Sequence, residues 1–209
     1  MSRTVPDKDL NIMTTREQLL SLIREHVKNE NIVKHMLAVG AMMGGVYEEL
    51  KKRGRAEAEL GGQKEEWMIA GLLHDGDYCE EVPHTEQGIK ITEWAREKGY
   101  VVPENVAHAM AAHNWDNTRV EPKSLMDWTI FCGDSLTGLV VASTLVLPNK
   151  KIVALTVESV LKRFKEPSFA KGTRRPDIAL CEEKLGLKLE EFMGITLRAM
   201  QGISLEIGL

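Results

Sequence analysis

Apolar residues recur at intervals of three and four along almost the whole chain. No stretch alternates with period two between turn signals, so the pattern predicts helices throughout and no strand. Thr15-Arg-Glu-Gln18 has the form of a capping box, and Leu19, Leu20, Ile23 and Val27 continue it as one apolar face. A second helix is expected from about Ile32 to Lys52, striped by Ile32, Met36, Val39, Met43, Val46 and Leu50. The charged segment 54–64 contains Gly61-Gly62 and reads as a solvated loop or frayed helix end, followed by a short apolar helix from Glu65 to about His74. A turn-rich stretch, Gly76 to Pro83, precedes a helix from Thr85 to Lys98 that Gly99 ends. Pro103 opens the next helix, which reaches His113. Residues 124–147 form the most apolar helix, stopped by Pro148, and 150–165 is amphipathic. Pro176 and Asp177 open a C-terminal pair of helices divided at Gly186. The expected architecture is a single all-α domain over residues 1–209, a helical bundle with its chemistry in residues 30–140 and further helices over 150–209.

The 209 residues are 43% hydrophobic and 28% charged, enough for one substantial core. A net charge of −4 argues against general binding of nucleic-acid polymers, which draws on a basic excess. Cys79, Cys132 and Cys181 are widely spaced, with no CxxC pair, which fits a reducing compartment rather than a disulfide framework. The first fifteen residues are polar and lack an apolar leader segment. The long apolar helix is interrupted by Asp134 and carries Ser135, Thr137, Ser143 and Thr144, so it reads as a core helix rather than a membrane span. A cytoplasmic protein without a membrane partner is expected.

Candidate chemistry concentrates where apolar helices meet ionisable residues. In Gly71-Leu-Leu-His-Asp-Gly-Asp-Tyr78 an apolar helix ends in adjacent imidazole and carboxylate side chains. His35 lies beside the inner stripe of a long helix, and Asp134 interrupts an otherwise apolar one. A buried, unpaired aspartate is costly, so it calls for a cation or strong donors nearby. His35, His74, Asp75 and Asp134 together offer two nitrogen and two oxygen ligands, a set suited to a divalent transition ion such as Mn, Fe, Co, Ni or Zn. On the helix from Pro103, Val106, Met110 and His113 share a face, whereas His108 points elsewhere and reads as a surface residue. Asp77 is expected to handle a proton or to orient His74. Lys162, Arg163, Lys165, Lys171, Arg174 and Arg175 form the one dense basic cluster.

The order His35 … His74-Asp75 … Asp134 resembles the H…HD…D signature of the HD superfamily of metal-dependent phosphohydrolases. The similarity extends over nearly the whole chain, through Leu73-His-Asp-Gly-Asp-Tyr78, Pro83-His84-Thr-Glu-Gln-Gly88, Ala107-His-Ala-Met-Ala-Ala-His-Asn114, Asp134-Ser-Leu-Thr-Gly138 and the basic stretch 162–174. It implies an HD-type helical bundle, one or two metal ions per chain, and hydrolysis of a nucleotide or other small phosphorylated metabolite. It adds His84 and His113 as ligands of a second ion or as phosphate contacts. Asp75 and Asp77 are the expected catalytic pair, and because the acidic chain has no other basic patch, Lys165, Lys171 and Arg174 are expected to bind the substrate's phosphate. Two departures stand out: His74-Asp-Gly-Asp-Tyr78 lacks the lysine of the commoner His-Asp-Ile-Gly-Lys run, and His113-Asn114 replaces a consecutive histidine pair. A di-iron oxygenase of the inositol-oxygenase type and a non-catalytic, metal-containing ligand-binding module are the alternatives.

Overall fold

Helix signals and breakers divide the chain much as its periodicity suggests. The computed structural model describes residues 14–209, so the reading that the first fifteen residues lack an apolar leader falls largely outside the described residues. The elements are α1 (Arg16–His26), α2 (Glu30–Lys52), α3 (Glu57–Leu60), α4 (Lys64–Leu73), α5 (Lys90–Glu97), α6 (Glu104–His113), α7 (Trp115–Thr118), α8 (Leu125–Leu145), α9 (Val157–Phe164), α10 (Arg175–Ala179), α11 (Cys181–Leu185), α12 (Leu189–Gly202) and α13 (Ser204–Ile207). Short 3-10 turns lie at His84–Glu86 and Ile152–Ala154, and no strand occurs among the described residues. The fold is all-α.

Caps account for the clearest boundaries. The Thr15 box forms as expected, its hydroxyl accepting from the Gln18 amide while Gln18 accepts from the Thr15 amide. Ser124 and Asp127 make the same reciprocal pair at the start of α8. Three boundaries differ from the sequence expectation. Segment 54–64 contains the short α3; α5 begins at Lys90 rather than Thr85, because residues 84–86 form a 3-10 turn; and α9 begins at Val157, where Thr156 caps the amide of Ser159.

The centre of the molecule is α2, with α4 and α8 crossing it. Glycines lie at both crossings. A Cβ on Gly71 would lie 2.8 Å from the Gly40 backbone, so α2 and α4 approach as closely as two glycines permit. A Cβ on Gly133 would fall on the end of the Met42 side chain, so Met42 of α2 packs into the space that Gly133 leaves on α8. Both glycines neighbour the ionisable residues: Gly71 lies one turn before His74, and Gly133 immediately precedes Asp134. By length and composition α8 could cross a membrane, yet 61% of that window is buried within the fold, where it serves as an interior helix.

Candidate metal centre

Four elements deliver five side chains to one place. His35 comes from α2, His74 and Asp75 from the end of α4, His113 from the last residue of α6, and Asp134 from the middle of α8. One ligating atom from each of His35, His74 and Asp75 lies within 4.8 Å of the other two. His35 Nε2 is 2.9 Å from Asp134 Oδ1 and 3.8 Å from Asp75 Oδ2; His74 Nε2 is 3.4 Å from Asp75 Oδ2 and 3.8 Å from Asp134 Oδ1. Asp75 Oδ1 faces the other way, 3.4 Å from His113 Nε2. His35, His74 and Asp75 form a mutually close trio of donors, and Asp134 joins it through contacts to the two imidazoles. Two nitrogens with carboxylate oxygens beside them suit a divalent transition ion.

The orientation of the three imidazoles has a local cause. His74 and His113 each sit at the C-terminal end of a helix, where the last four carbonyls have no intrahelical partner. His74 Nδ1–H donates to the Gly71 carbonyl at 2.8 Å, and His113 Nδ1–H donates to the Met110 carbonyl, in both cases three residues back. His35 reaches the same state differently. Thr137 has one hydroxyl proton, which it donates to the Asp134 carbonyl at 2.8 Å, so it accepts from His35 Nδ1–H at 3.1 Å. Each ring thus spends its Nδ1 proton on an anchor and turns Nε2 toward the carboxylates. His74 Nε2 is wholly buried and has no hydrogen-bond partner in the protein. Such an orphaned acceptor is costly, and a cation satisfies it. The C-terminal ends of α4 and α6 add partial negative charge at the same point.

The electrostatics follow from these contacts. Burial drives the His74 pKa down to about 4, against the opposing pull of Asp75, so the ring stays neutral and able to ligate. Burial also works to lower His35, but the hydrogen bond and charge of Asp134, with Asp75, outweigh it and raise the pKa. For His113 the Asp75 contact outweighs burial in the same direction. Asp75 and Asp134 are held below the usual carboxylate range because the surrounding imidazoles overcome the cost of their burial.

Asp77 occupies a different place from the one expected of it. Its carboxylate is buried and accepts from the Gly88 amide at 2.9 Å to each oxygen and from the Ile91 amide at 2.9 Å. It ties the turn after His74-Asp75 to the start of α5, while the Gly71 carbonyl orients His74. Burial raises the Asp77 pKa to about 6, those amide bonds notwithstanding. Gly88 has φ +85°, and a Cβ there would strike the Met110 carbonyl, so this turn lies directly against the end of α6 that carries His113.

The remaining candidates separate clearly. His84 is exposed, with Nδ1 3.0 Å from Gln87 Oε1, and among the described residues no polar contact joins its ring to the cluster. Lys165 and Lys171 are also exposed and make no polar contact with it. Arg174 does reach it. Its Nη2 lies 3.9 Å from Asp134 Oδ2, its Nε pairs with Asp177 at 2.9 Å and its Nη1 with Asp116 at 3.6 Å, and the guanidinium sits 5.5 Å above the Phe131 ring. His108 is half-buried rather than a surface residue, since Asp127 lies 3.0 Å from its Nδ1. Sequence reasoning missed Thr137 and Arg175. Arg175 donates to the carbonyls of Phe164, Glu166 and Phe169 at 2.7, 3.0 and 2.7 Å, which gathers the loop before α10 and fixes its neighbour Arg174. A lone arginine in a basic run gives no sign of that role.

No family model matches the chain, and no curated protein or solved structure matches it.

Proposed function

We propose that this chain is a metal-dependent phosphohydrolase of the HD type, acting on a nucleotide or another small phosphorylated metabolite. The observation that carries the reading is the convergence of three Nδ1-anchored imidazoles and two carboxylates, with a buried, unpartnered Nε2 on His74, beside a guanidinium. His35, His74, Asp75 and Asp134 would hold the first ion; His113 and the second oxygen of Asp75 offer part of a second site. Bound there, a divalent ion supplies Lewis acidity at a phosphoryl oxygen and lowers the pKa of water toward neutrality.

The protein's own groups supply the rest. Asp75 has one oxygen toward His35 and His74 and the other toward His113, so its carboxylate is placed to accept a hydrogen bond from the attacking water. Arg174 is about one-third exposed and brings a positive charge to the rim of an otherwise acidic site. An incoming phosphate exchanges for its contact with the exposed Asp116 and is neutralised through a charge-assisted pair. Asp77 acts through the turn it holds, keeping Asp75 and His113 in register.

The test joins metal analysis to a phosphatase screen over nucleotides and sugar phosphates. About one to two divalent ions per chain are expected, with a sharp loss in His35→Ala, His74→Ala and Asp134→Ala. On the phosphoester so found, Asp75→Asn should abolish turnover, while Arg174→Ala should chiefly raise KM. Near-normal kcat in Asp75→Asn, or ions retained in all three alanine variants, would sink the reading.

A further inference from the structure

Glycine in the middle of a helix costs about 1 kcal/mol relative to alanine, so each such residue calls for a reason. Most interior helical glycines here have one. A Cβ at Gly40, Gly45, Gly71 or Gly133 would press on a neighbouring helix, and at Gly44 it would meet Met68 at 3.0 Å. Gly138, deep inside α8, is different: it is exposed, and a Cβ there would meet nothing within 4 Å. Gly202 shares that open surrounding, but it is the last residue of its helix.

What Gly138 does have is a position. It lies one turn after Asp134, offset by about 40° around the axis, and a helical side chain leans back toward the helix N-terminus. Any side chain at 138 would therefore cover the approach to the Asp134 carboxylate, whose side chain is 21% exposed and faces His35 and Arg174. The same face of α8 continues through Val141, partly buried, to Leu145, 48% exposed, at i+7 and i+11 from Asp134. At about 1.5 Å per residue, Gly138 to Leu145 spans about 10 Å of helix surface. Along this face of α8, then, Asp134 is followed by a position with no side chain and by two apolar ones, a lane defined by α8 alone.

We infer that Gly138 is the specificity-determining position of the site: its missing side chain keeps the lane open, and the substrate is a phosphoester whose organic group is apolar and lies over Gly138 toward Val141 and Leu145. The inference rests on the phosphohydrolase reading for the phosphoryl end, and the assignment of the organic end is additional to it. Charged or strongly hydrated groups would gain nothing from Val141 and Leu145, whereas an alkyl or aryl group gains by leaving water there.

The experiment uses the full chain loaded with Mn and measures binding of methylphosphonate and hexylphosphonate by calorimetry. Wild type should bind hexylphosphonate at least tenfold more tightly than methylphosphonate. Gly138→Leu puts a good helix former on an exposed face, so melting temperature and metal content should hold or rise. It should cost hexylphosphonate at least tenfold more affinity than it costs methylphosphonate, and Leu145→Lys should remove a smaller part of the hexyl advantage. Equal binding of the two phosphonates by wild type, binding of neither, or an undiminished hexyl preference in Gly138→Leu overturns the inference. A hexyl preference lost in Gly138→Leu, in a protein that hydrolyses no phosphoester, would keep the inference and remove the hydrolase reading, so the two failures are distinguishable.

Discussion

At the scale of single residues, the site solves one problem three times: holding an imidazole so that only Nε2 is available. His74 and His113 use carbonyls that a helix end leaves free, and His35 uses a hydroxyl whose one proton is already committed. The protonation states that result are unequal, and this sets the pH dependence of metal uptake. His35 and His113 have pKa values raised by their aspartate partners, so below those raised values an incoming ion must displace a proton from each. His74, held neutral down to about 4 by burial, releases none. Raising the pH removes the competing protons, so apparent metal affinity should climb as the pH rises through the two raised values. Competition against a chelator of known proton affinity measures this, and a flat profile would mean that His35 and His113 are not ligands.

At the scale of elements, the candidate ligands His35 and His74 stand where they do because Gly40 and Gly71 allow α2 and α4 to cross closely. Gly71→Ala places a Cβ 2.8 Å from the Gly40 backbone and forces the two helices apart. Overpacking of this kind costs about 1–3 kcal/mol, and here it would also separate His35 from His74. The variant should show both a lower denaturation midpoint and weaker metal binding, although residue 71 ligates nothing through its side chain. Unchanged metal affinity at reduced stability would show that the crossing does not position the site. The same elements show what periodicity can and cannot reveal. The Thr15 and Ser124 caps, the long apolar helix and the interrupting Asp134 are local features, and they were legible. The late starts of α5 and α9 were not: Val153, in the 3-10 turn at Ile152–Ala154, continues the apolar spacing of Val157, Val160 and Phe164, while the turn at His84–Glu86 is wholly polar and reads as the exposed first turn of a helix. His35, His74, Asp75 and Asp134 stood out as ionisable residues in apolar surroundings. The anchoring of Asp77 to Gly88 and Ile91, and of Arg175 to a loop, joins residues whose pairing leaves no periodic trace.

At the scale of the whole molecule, the donors come from α2, the end of α4, α6 and α8, so one small volume links helices distant in sequence. Metal-free, that volume holds two carboxylates, three imidazoles and an orphaned buried nitrogen, an arrangement that strains the centre of the fold. An ion that binds the folded chain and not the unfolded one stabilises it by RT ln(1 + c/Kd), where c is the free ion concentration, or about 2.7 kcal/mol at a free concentration one hundred times Kd. For a chain of this size 1 kcal/mol moves Tm by about 2–4 °C, so removing the ion should lower Tm by about 5–10 °C. The comparison is a thermal scan of metal-loaded protein with and without excess chelator, followed by re-addition of Mn. Helical circular dichroism below the transition should be the same in both, because the caps and apolar faces that form the helices do not involve the ligands. His74→Ala removes the orphaned nitrogen along with a ligand. It should therefore melt near the chelated wild type and stop responding to chelator. If chelator left the Tm of wild type unmoved while the ions were demonstrably removed, the ion would not link these helices, and the five side chains would have to be held by their own ion pairs alone.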